Sequence, residues 1–291
     1  MAKAVLGVIG GSGIYDLPGL AEVETLDVRS PWGEPSAPLK RGRIGATTIV
    51  FLPRHGAGHR LSPSDIDYRA NIDALKRVGV TDLVSLSACG SYREDLPPGT
   101  FVLADQFIDR TFRRASSFFG AGCVAHVAFS DPVAPNLVAR VARAAAAEGV
   151  AHVVGGAYVC MEGPQFSTRA ESVAYKAMGA AIVGMTNMPE AKLAREAEIA
   201  YATVGMVTDY DAWRPHEAGV DVADILAVMR ENGEKAARLI ARLAADFPEE
   251  HEPCPVGSDR SLDFALVTAP EHRDPALLAK LDAVAGRVLG S

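Results

Sequence analysis

The chain has 291 residues, 48% of them hydrophobic, enough for one large core in a single domain. Its 29 basic and 36 acidic residues leave a formal charge of −7, which argues against a nucleic-acid or anionic-membrane surface but allows a local cationic pocket. The four cysteines, Cys89, Cys123, Cys160 and Cys254, are widely spaced with no C-x-x-C, so neither a disulfide framework nor a zinc site is suggested. No segment approaches the ~18 apolar residues of a membrane span. The first apolar run is short and opens straight into a glycine turn, unlike a secretory signal, and the expectation is a soluble cytoplasmic protein.

That run, Val5–Ile9, reads as a strand ending in Gly10-Gly11-Ser12-Gly13. Such a turn exposes backbone N–H groups to an anion, and Ser12 adds a hydroxyl donor. A dinucleotide fingerprint is excluded, because Asp16 stands at the third glycine position and Pro18-Gly19 follow where a helix should start. No P-loop pattern occurs either. Thr47–Leu52 reads as the next strand, followed directly by Pro53-Arg54-His55-Gly56. A helix over Ser64–Val78 opens with a Ser-x-x-Asp capping pattern and closes at Gly79. Strands follow at Leu83–Leu86, running into Ser87-Ala88-Cys89-Gly90-Ser91, and at Phe101–Leu103. An alanine-rich helix spans Ala134–Glu148, then a strand spans His152–Cys160 and leads into the turn-rich Met161–Ser167. A helix at Thr168–Met178 stops at Gly179, before a strand at Ala181–Val183 and a helix at Pro189–Ala197. The strand Ile199–Val207 ends in Thr208-Asp209-Tyr210-Asp211, and a helix covers Val222–Ala245. Pro248 to about Asp263 lacks periodicity and reads as a loop leading to a final helix, Pro275–Leu289. This alternation predicts a three-layer α/β fold in one domain, 1–291, with 248–291 as a C-terminal extension packed on it.

Chemistry-bearing residues gather at the carboxyl ends of the predicted strands, where open α/β sheets bind ligands. Arg54 offers a planar fork suited to phosphate oxygens, and His55 a further donor. His59 lies an i, i+4 step away, but a pair without a third ligand is poor evidence for a metal. Ser87–Ser91 permits close packing of a ligand against backbone, or is simply a tight turn. Glu162 needs a partner if buried: a sugar hydroxyl, Arg169 or a backbone N–H. Phe166 offers a face to a flat ligand or belongs to the core. Asp209 and Asp211, at i and i+2, share a side if the strand continues, and like charges held close raise one pKa and suit a general acid. Alternatively Asp209 caps a turn while Asp211 faces water.

Eight of these segments, in this order, resemble the trimeric purine nucleoside phosphorylase family, and within it the 5′-methylthioadenosine phosphorylase branch. They are Val8–Tyr15, Pro53–Gly56, Asp67–Ile72, Ser87–Ser91, Asp105–Thr111, Glu162–Ser167, Gly184–Glu190 and Thr208–Asp211, and they cover residue 4 to about 245. The resemblance implies a mixed, twisted central sheet flanked by helices. It implies phosphate among Ser12, Arg54, His55, Ser87, Ala88 and Thr186. Ribose would lie near Met185 and the base near Phe166, Ser167, Thr208, Asp209 and Asp211, with Cys89 and Gly90 also against substrate. Val222, Ile225 and Leu226 would form the wall for the 5′ group, with His126 reaching in from a neighbouring subunit of a homotrimer. The activity implied is phosphorolysis of 5′-methylthioadenosine with inorganic phosphate as co-substrate and no metal or organic cofactor; Asp209 and Asp211 would be catalytic. Family sites for 6-oxopurines carry Asn in place of Asp209, so Asp209 favours a 6-aminopurine. Alternatives are a 6-oxopurine nucleoside or methylthioinosine phosphorylase, a hydrolase, or a non-catalytic nucleoside-binding protein. Two departures stand out. Ser12 and Ser87 take the place of the usual eukaryotic Thr and keep the hydroxyl, while Gly184 replaces an Asn found in some relatives.

Overall fold

A computed structural model describes residues 2–11, 17–214 and 222–290; the side chains of 222–225 lie outside the description. Among the described residues eleven strands form one sheet: β1 Val5–Gly10, β2 Ala21–Leu26, β3 Leu39–Ile44, β4 Thr47–Pro53, β5 Asp82–Ser91, β6 Phe101–Leu103, β7 Gln106–Arg110, β8 His152–Val154, β9 Ala157–Met161, β10 Ala180–Gly184 and β11 Ala200–Tyr210. The helices are α1 Tyr68–Arg77, α2 Pro135–Ala147, α3 Arg169–Ala177, α4 Asn187–Glu196, α5 Val222–Ala245, α6 Pro275–Lys280 and α7 Asp282–Leu289. The main path runs β2-β3-β4-β1-β5-β10-β9-β7, and β11, β6 and β8 branch from β5. Parallel and antiparallel pairs both occur, so the sheet is mixed. Helices flank it, α1 packing on α4 and α7, and α2 on α5.

Why these residues form these strands is plain at the centre. β5 and β11 are covered on both faces, so they read as long apolar runs. The strands that periodicity missed are peripheral. β2 is exposed along nearly its whole length, β3 alternates charge with burial, and β7 is polar. β2 is held by backbone pairing, whereas β3 and β7 add only a few inward apolar residues, Leu39 and Ile44, and Phe107 and Ile108. The single strand expected over His152–Cys160 is two: Gly155 and Gly156, at φ 95° and 114°, break it, and β8 joins β6 while β9 joins β7 and β10. The first helix starts at Tyr68, not Ser64. Asp67 is its N-cap, accepting from the Ala70 N–H at 3.0 Å, while the Ser64 hydroxyl donates to Glu162 instead. Gly79 and Gly179 follow the C-caps of α1 and α3 with φ 86° and 83°, as the sequence suggested. The final helix breaks in two at the fully buried Leu281.

A change of strand neighbours opens the site. β1 pairs with one edge of β5 over Asp82–Ser85, and β10 takes over that edge only at Gly90–Ser91. Between those stretches, Leu86–Cys89 have β11 on one side and, among the described residues, no strand on the other. Backbone left without a ladder needs other partners, and a ligand pocket supplies them. Beyond residue 245, Leu262, Leu281, Val284 and Ala285 belong to the main core. Arg287 to buried Glu198 and Arg77 to Asp282 tie the tail down by ion pairs.

Candidate active site

A cavity of about 690 Å³ occupies the gap beside Leu86–Cys89. Its floor is the β5 segment from Leu86 to Gly90, its near end the turn after β4 with Arg54 and His55, and its far end Asp209 and Asp211 at the end of β11. Met185 and Thr186 come from the turn between β10 and α4, and Phe166 and Ser167 from the loop after β9.

At the near end, Ser87 and Thr186 are buried, with their hydroxyls 3.3 Å apart. The Ser87 hydroxyl also lies 3.0 Å from that of Tyr158. Gly184 is what lets Tyr158 reach it, since a Cβ there would overlap the Tyr158 hydroxyl and sit 2.7 Å from its ring carbon. The departure from Asn at Gly184 is therefore a packing requirement of this chain. His55 keeps its Nδ1 proton on the Leu61 carbonyl at 2.9 Å, and its ring stacks on His59 at 4.1 Å. Burial, then the charge of Arg54, pushes its pKa down to about 4, so it is neutral near pH 7.

Arg54 differs from the open fork that the sequence suggested. Its side chain is 2% exposed and bound to Glu190, Nε to Oε2 at 2.7 Å and Nη2 to Oε1 at 3.1 Å. Nη2 also donates to Ser85 Oγ at 2.7 Å, and Nη1 to the Leu86 carbonyl at 2.9 Å. Burial opposes the guanidinium charge, but Glu190 outweighs it and holds Arg54 protonated. Four of the five guanidinium N–H groups are thereby used inside the protein.

At the far end, Asp209 accepts from the Thr208 hydroxyl at 2.7 Å. Burial pushes its pKa up to about 6; Thr208 works against this and the neighbouring Asp211 adds to it. Asp211 is buried, and its Oδ2 has no hydrogen-bond partner among the described residues. The Tyr92 hydroxyl, which faces Asp211 and Ser167, is also buried, with no hydrogen bond of normal geometry among the described residues. A Cβ on Gly90 would lie 3.1 Å from both the Asp209 carboxylate and the Asp211 Cβ, so a larger residue there would push the two acids by a few tenths of an ångström. Asp209 and Asp211 both line the cavity, although β11 ends at Tyr210 and its register with β5 slips between Val207 and Asp209, and Phe166 is 57% exposed at the cavity edge.

Glu162 is settled differently from a sugar contact. Its carboxylate accepts from the Phe112 N–H at 2.7 Å, from the Arg113 N–H and from the Ser64 hydroxyl. Burial disfavours its charge, yet these donors and Arg114 hold its pKa below the ordinary value. Arg169, the other expected partner, donates to the Arg214 carbonyl. Arg114, which the sequence did not single out, bonds the carbonyls of Met185, Met188 and Glu162 and so fixes both loops that frame the cavity.

Ser12 and the side chains of Val222 and Ile225 lie outside the described residues. Leu226 is 59% exposed and absent from the cavity wall. Met229, Asn232 and Gly233 of α5 line it instead, helical steps further on that periodicity from Leu226 would reach. Met206 of β11 and Arg60 also line the cavity without having been foreseen. His126 is exposed and is not in this chain's own cavity. Among the described residues, no cluster of His, Cys, Asp and Glu could hold a metal ion.

A family model described as the phosphorylase superfamily matches residues 5–245. A relative from Bradyrhizobium diazoefficiens, named S-methyl-5′-thioadenosine phosphorylase, is 69% identical over 99% of each chain. One of the same name from Cereibacter sphaeroides is 59% identical, again over 99% of each. Among solved structures, a methylthioadenosine phosphorylase from an Antarctic soil metagenomic library superposes with a TM-score of 0.91 at 44% identity, covering 98% of this chain and 99% of that one.

Proposed function

The chain belongs to the phosphorylase superfamily, and on that premise we propose a role for each end of its cavity. The reaction is phosphorolysis of S-methyl-5′-thioadenosine to adenine and 5-methylthioribose 1-phosphate, the activity named for relatives matched along the whole chain. Phosphate sits at the near end, on the Ser87 and Thr186 hydroxyls, the Ala88 backbone, His55 and the remaining N–H of Arg54. Ser12 joins this end by its place one residue beyond Gly11. Ribose lies against Met185, and the purine lies between Phe166 and the floor at Cys89–Gly90, with Ser167, Thr208, Asp209 and Asp211 at its polar edge.

The chemistry follows from that placement. As the C1′–N9 bond breaks, its electron pair passes into the purine while the sugar becomes oxocarbenium-like. A phosphate oxygen then bonds C1′. Holding the phosphate below C1′ removes entropic cost, worth roughly 7–11 kcal/mol in favourable cases. Asp209 gives its proton to N7, so adenine leaves neutral; general acid help of this kind is worth about 10²–10⁴ in rate. The unpartnered Asp211 Oδ2 accepts from the 6-amino group, and Asp211's charge keeps the proton on Asp209. No cofactor is required by this scheme.

The observation that carries the reading is the corner over Gly90: a carboxyl poised near pH 6 beside a buried acceptor with no partner among the described residues. The assay is base release from methylthioadenosine, adenosine and inosine, with and without phosphate. Phosphate-independent cleavage, or faster cleavage of inosine than of methylthioadenosine, overturns it. We propose a homotrimer in the cytoplasm, in which Val222, Ile225 and the exposed Leu226 meet the 5′ group together with His126 of a neighbouring subunit. No helix among the described residues is long and apolar enough to cross a membrane.

A further inference from the structure

Inorganic phosphate carries between one and two negative charges near neutral pH, and the end of the cavity assigned to it holds little net cation. Arg54 is neutralised as a unit with Glu190, which also accepts from the Tyr201 hydroxyl at 2.9 Å. His55 is neutral and its Nδ1 proton is taken up by Leu61. Asp209 and Asp211 at the other end repel an incoming anion.

Arg60 is the exception. It lines the cavity, is exposed, and forms no ion pair among the described residues. Its one hydrogen bond among them runs from Nη2 to the Ser36 carbonyl at 3.1 Å, which leaves most of its five donors unused. The local backbone sets its position. Gly56, at φ 71°, has no Cβ; one there would lie 2.9 Å from the Ser36 carbonyl and 3.1 Å from Arg60 Nε. The Arg60 side chain can therefore pack closely against the turn that carries His55. His59, held at φ 57° and stacked on His55, fixes the preceding residue. Arg60 also lines an adjoining depression of about 540 Å³, so it stands in the wall between that depression and the cavity.

We propose that Arg60 is the cation that draws inorganic phosphate into the cavity and balances its charge there, while the Arg54–Glu190 pair serves as a neutral hydrogen-bonding floor. This rests on the phosphorolysis reading. A permanent, weakly hydrated guanidinium at the mouth does both jobs: it raises the encounter rate with an anion and forms charge-assisted hydrogen bonds to it.

The test is steady-state kinetics of the full-length enzyme, varying phosphate at saturating methylthioadenosine and the reverse. In Arg60→Gln, KM for phosphate rises about 10- to 100-fold, the range for losing a hydrogen bond to a charged group. The kcat at saturating phosphate and KM for methylthioadenosine stay within about twofold. Arg60→Lys recovers part of the loss. Raising the salt lowers kcat/KM for phosphate in the wild type and much less in Arg60→Gln. Arg29→Gln, which removes a cation of the adjoining depression alone, leaves all three parameters unchanged. Equal phosphate KM in Arg60→Gln and wild type overturns the proposal, as does a fall in kcat with no change in that KM. If Arg60→Gln does not fold, the Arg60→Lys KM and the wild-type salt dependence decide in the same way. A wild type that needs no phosphate would instead overturn phosphorolysis itself, so the two failures are distinct.

Discussion

Replacing Asp209 by Asn separates what this acid does for catalysis from what it does to stability. Its pKa of about 6 means that about a tenth of the molecules carry the proton at pH 7, against fewer than ~0.1% for an ordinary Asp. The same displacement corresponds to about 3 kcal/mol against the carboxylate, on an order-of-magnitude scale. Because the folded pKa is raised, the group's contribution to stability is complete below the unfolded value near 3.8 and is lost as pH rises through about 6. At about pH 8 the empty wild-type site therefore carries the whole cost, and the Asp209→Asn variant carries none while keeping an oxygen for the Thr208 hydroxyl. The expected result is a protein that melts several degrees higher at about pH 8 and no higher at about pH 4. Its kcat/KM for methylthioadenosine falls by about 10²–10⁴. In the wild type, kcat/KM declines above about pH 6 as Asp209 ionises, and in Asp211→Asn this limb moves to lower pH, because Asp211's charge helps to raise Asp209. Thermal denaturation at the two pH values and a pH–rate profile read both arms. Activity of Asp209→Asn within a factor of about ten of wild type, or a stability gain that does not depend on pH, would refute the reasoning.

Other substitutions probe the scaffold beneath the site. Gly184→Ala drives a methyl into the buried Tyr158 hydroxyl and should cost about 1–3 kcal/mol in urea unfolding, with a raised phosphate KM as Ser87 loses its neighbour. Glu190→Gln leaves the buried Arg54 charge without its partner, and a loss of about 3–5 kcal/mol is expected; replacing both residues by apolar ones of similar size should cost less. His251, away from the cavity, has its Nδ1 2.8 Å from Asp82, with Asp259 and Lys76 also facing it. The Asp82 hydrogen bond raises its pKa over the penalty of burial, so its stabilisation is full below the unfolded value and lost as pH rises through the folded one. His251→Gln should thus lower the urea midpoint at about pH 5.5 and change it little at about pH 9.

Much of the architecture was legible because burial writes itself into residue pattern. Strands covered on both faces, such as β5 and β11, must be apolar along their length, and helix ends such as Gly79 and Gly179 need a residue that tolerates positive φ. Strand β2 left no such trace because its side chains meet water, and β3 and β7 left little because only a few of their residues, Leu39 and Ile44 in one and Phe107 and Ile108 in the other, pack inward. The split of β8 from β9 was written in Gly155-Gly156 but is readable only once each half has its own neighbour.

For the site, residue order placed these types at the strand ends: a glycine turn, Arg54-His55, Ser87–Gly90, Met185-Thr186 and Asp209–Asp211. Parallel pairing sends the ends of β1, β4, β5 and β11 to one side of the sheet, but β10 runs antiparallel to β5, and only the fold brings Met185-Thr186 to them. Tertiary structure decided everything that depends on distance between parts remote in the chain. Arg54 and Glu190 are 136 residues apart, and only the fold shows that they neutralise each other. Glu162 meets Phe112 and Ser64 across the cavity frame, which removes it from the ligand. Burial over Gly90 is what turns Asp209 from an ordinary carboxylate into an acid poised near neutrality. Charge and hydrogen-bond capacity are properties of a residue, but whether they remain free for a substrate depends on which partners the folded chain has already supplied.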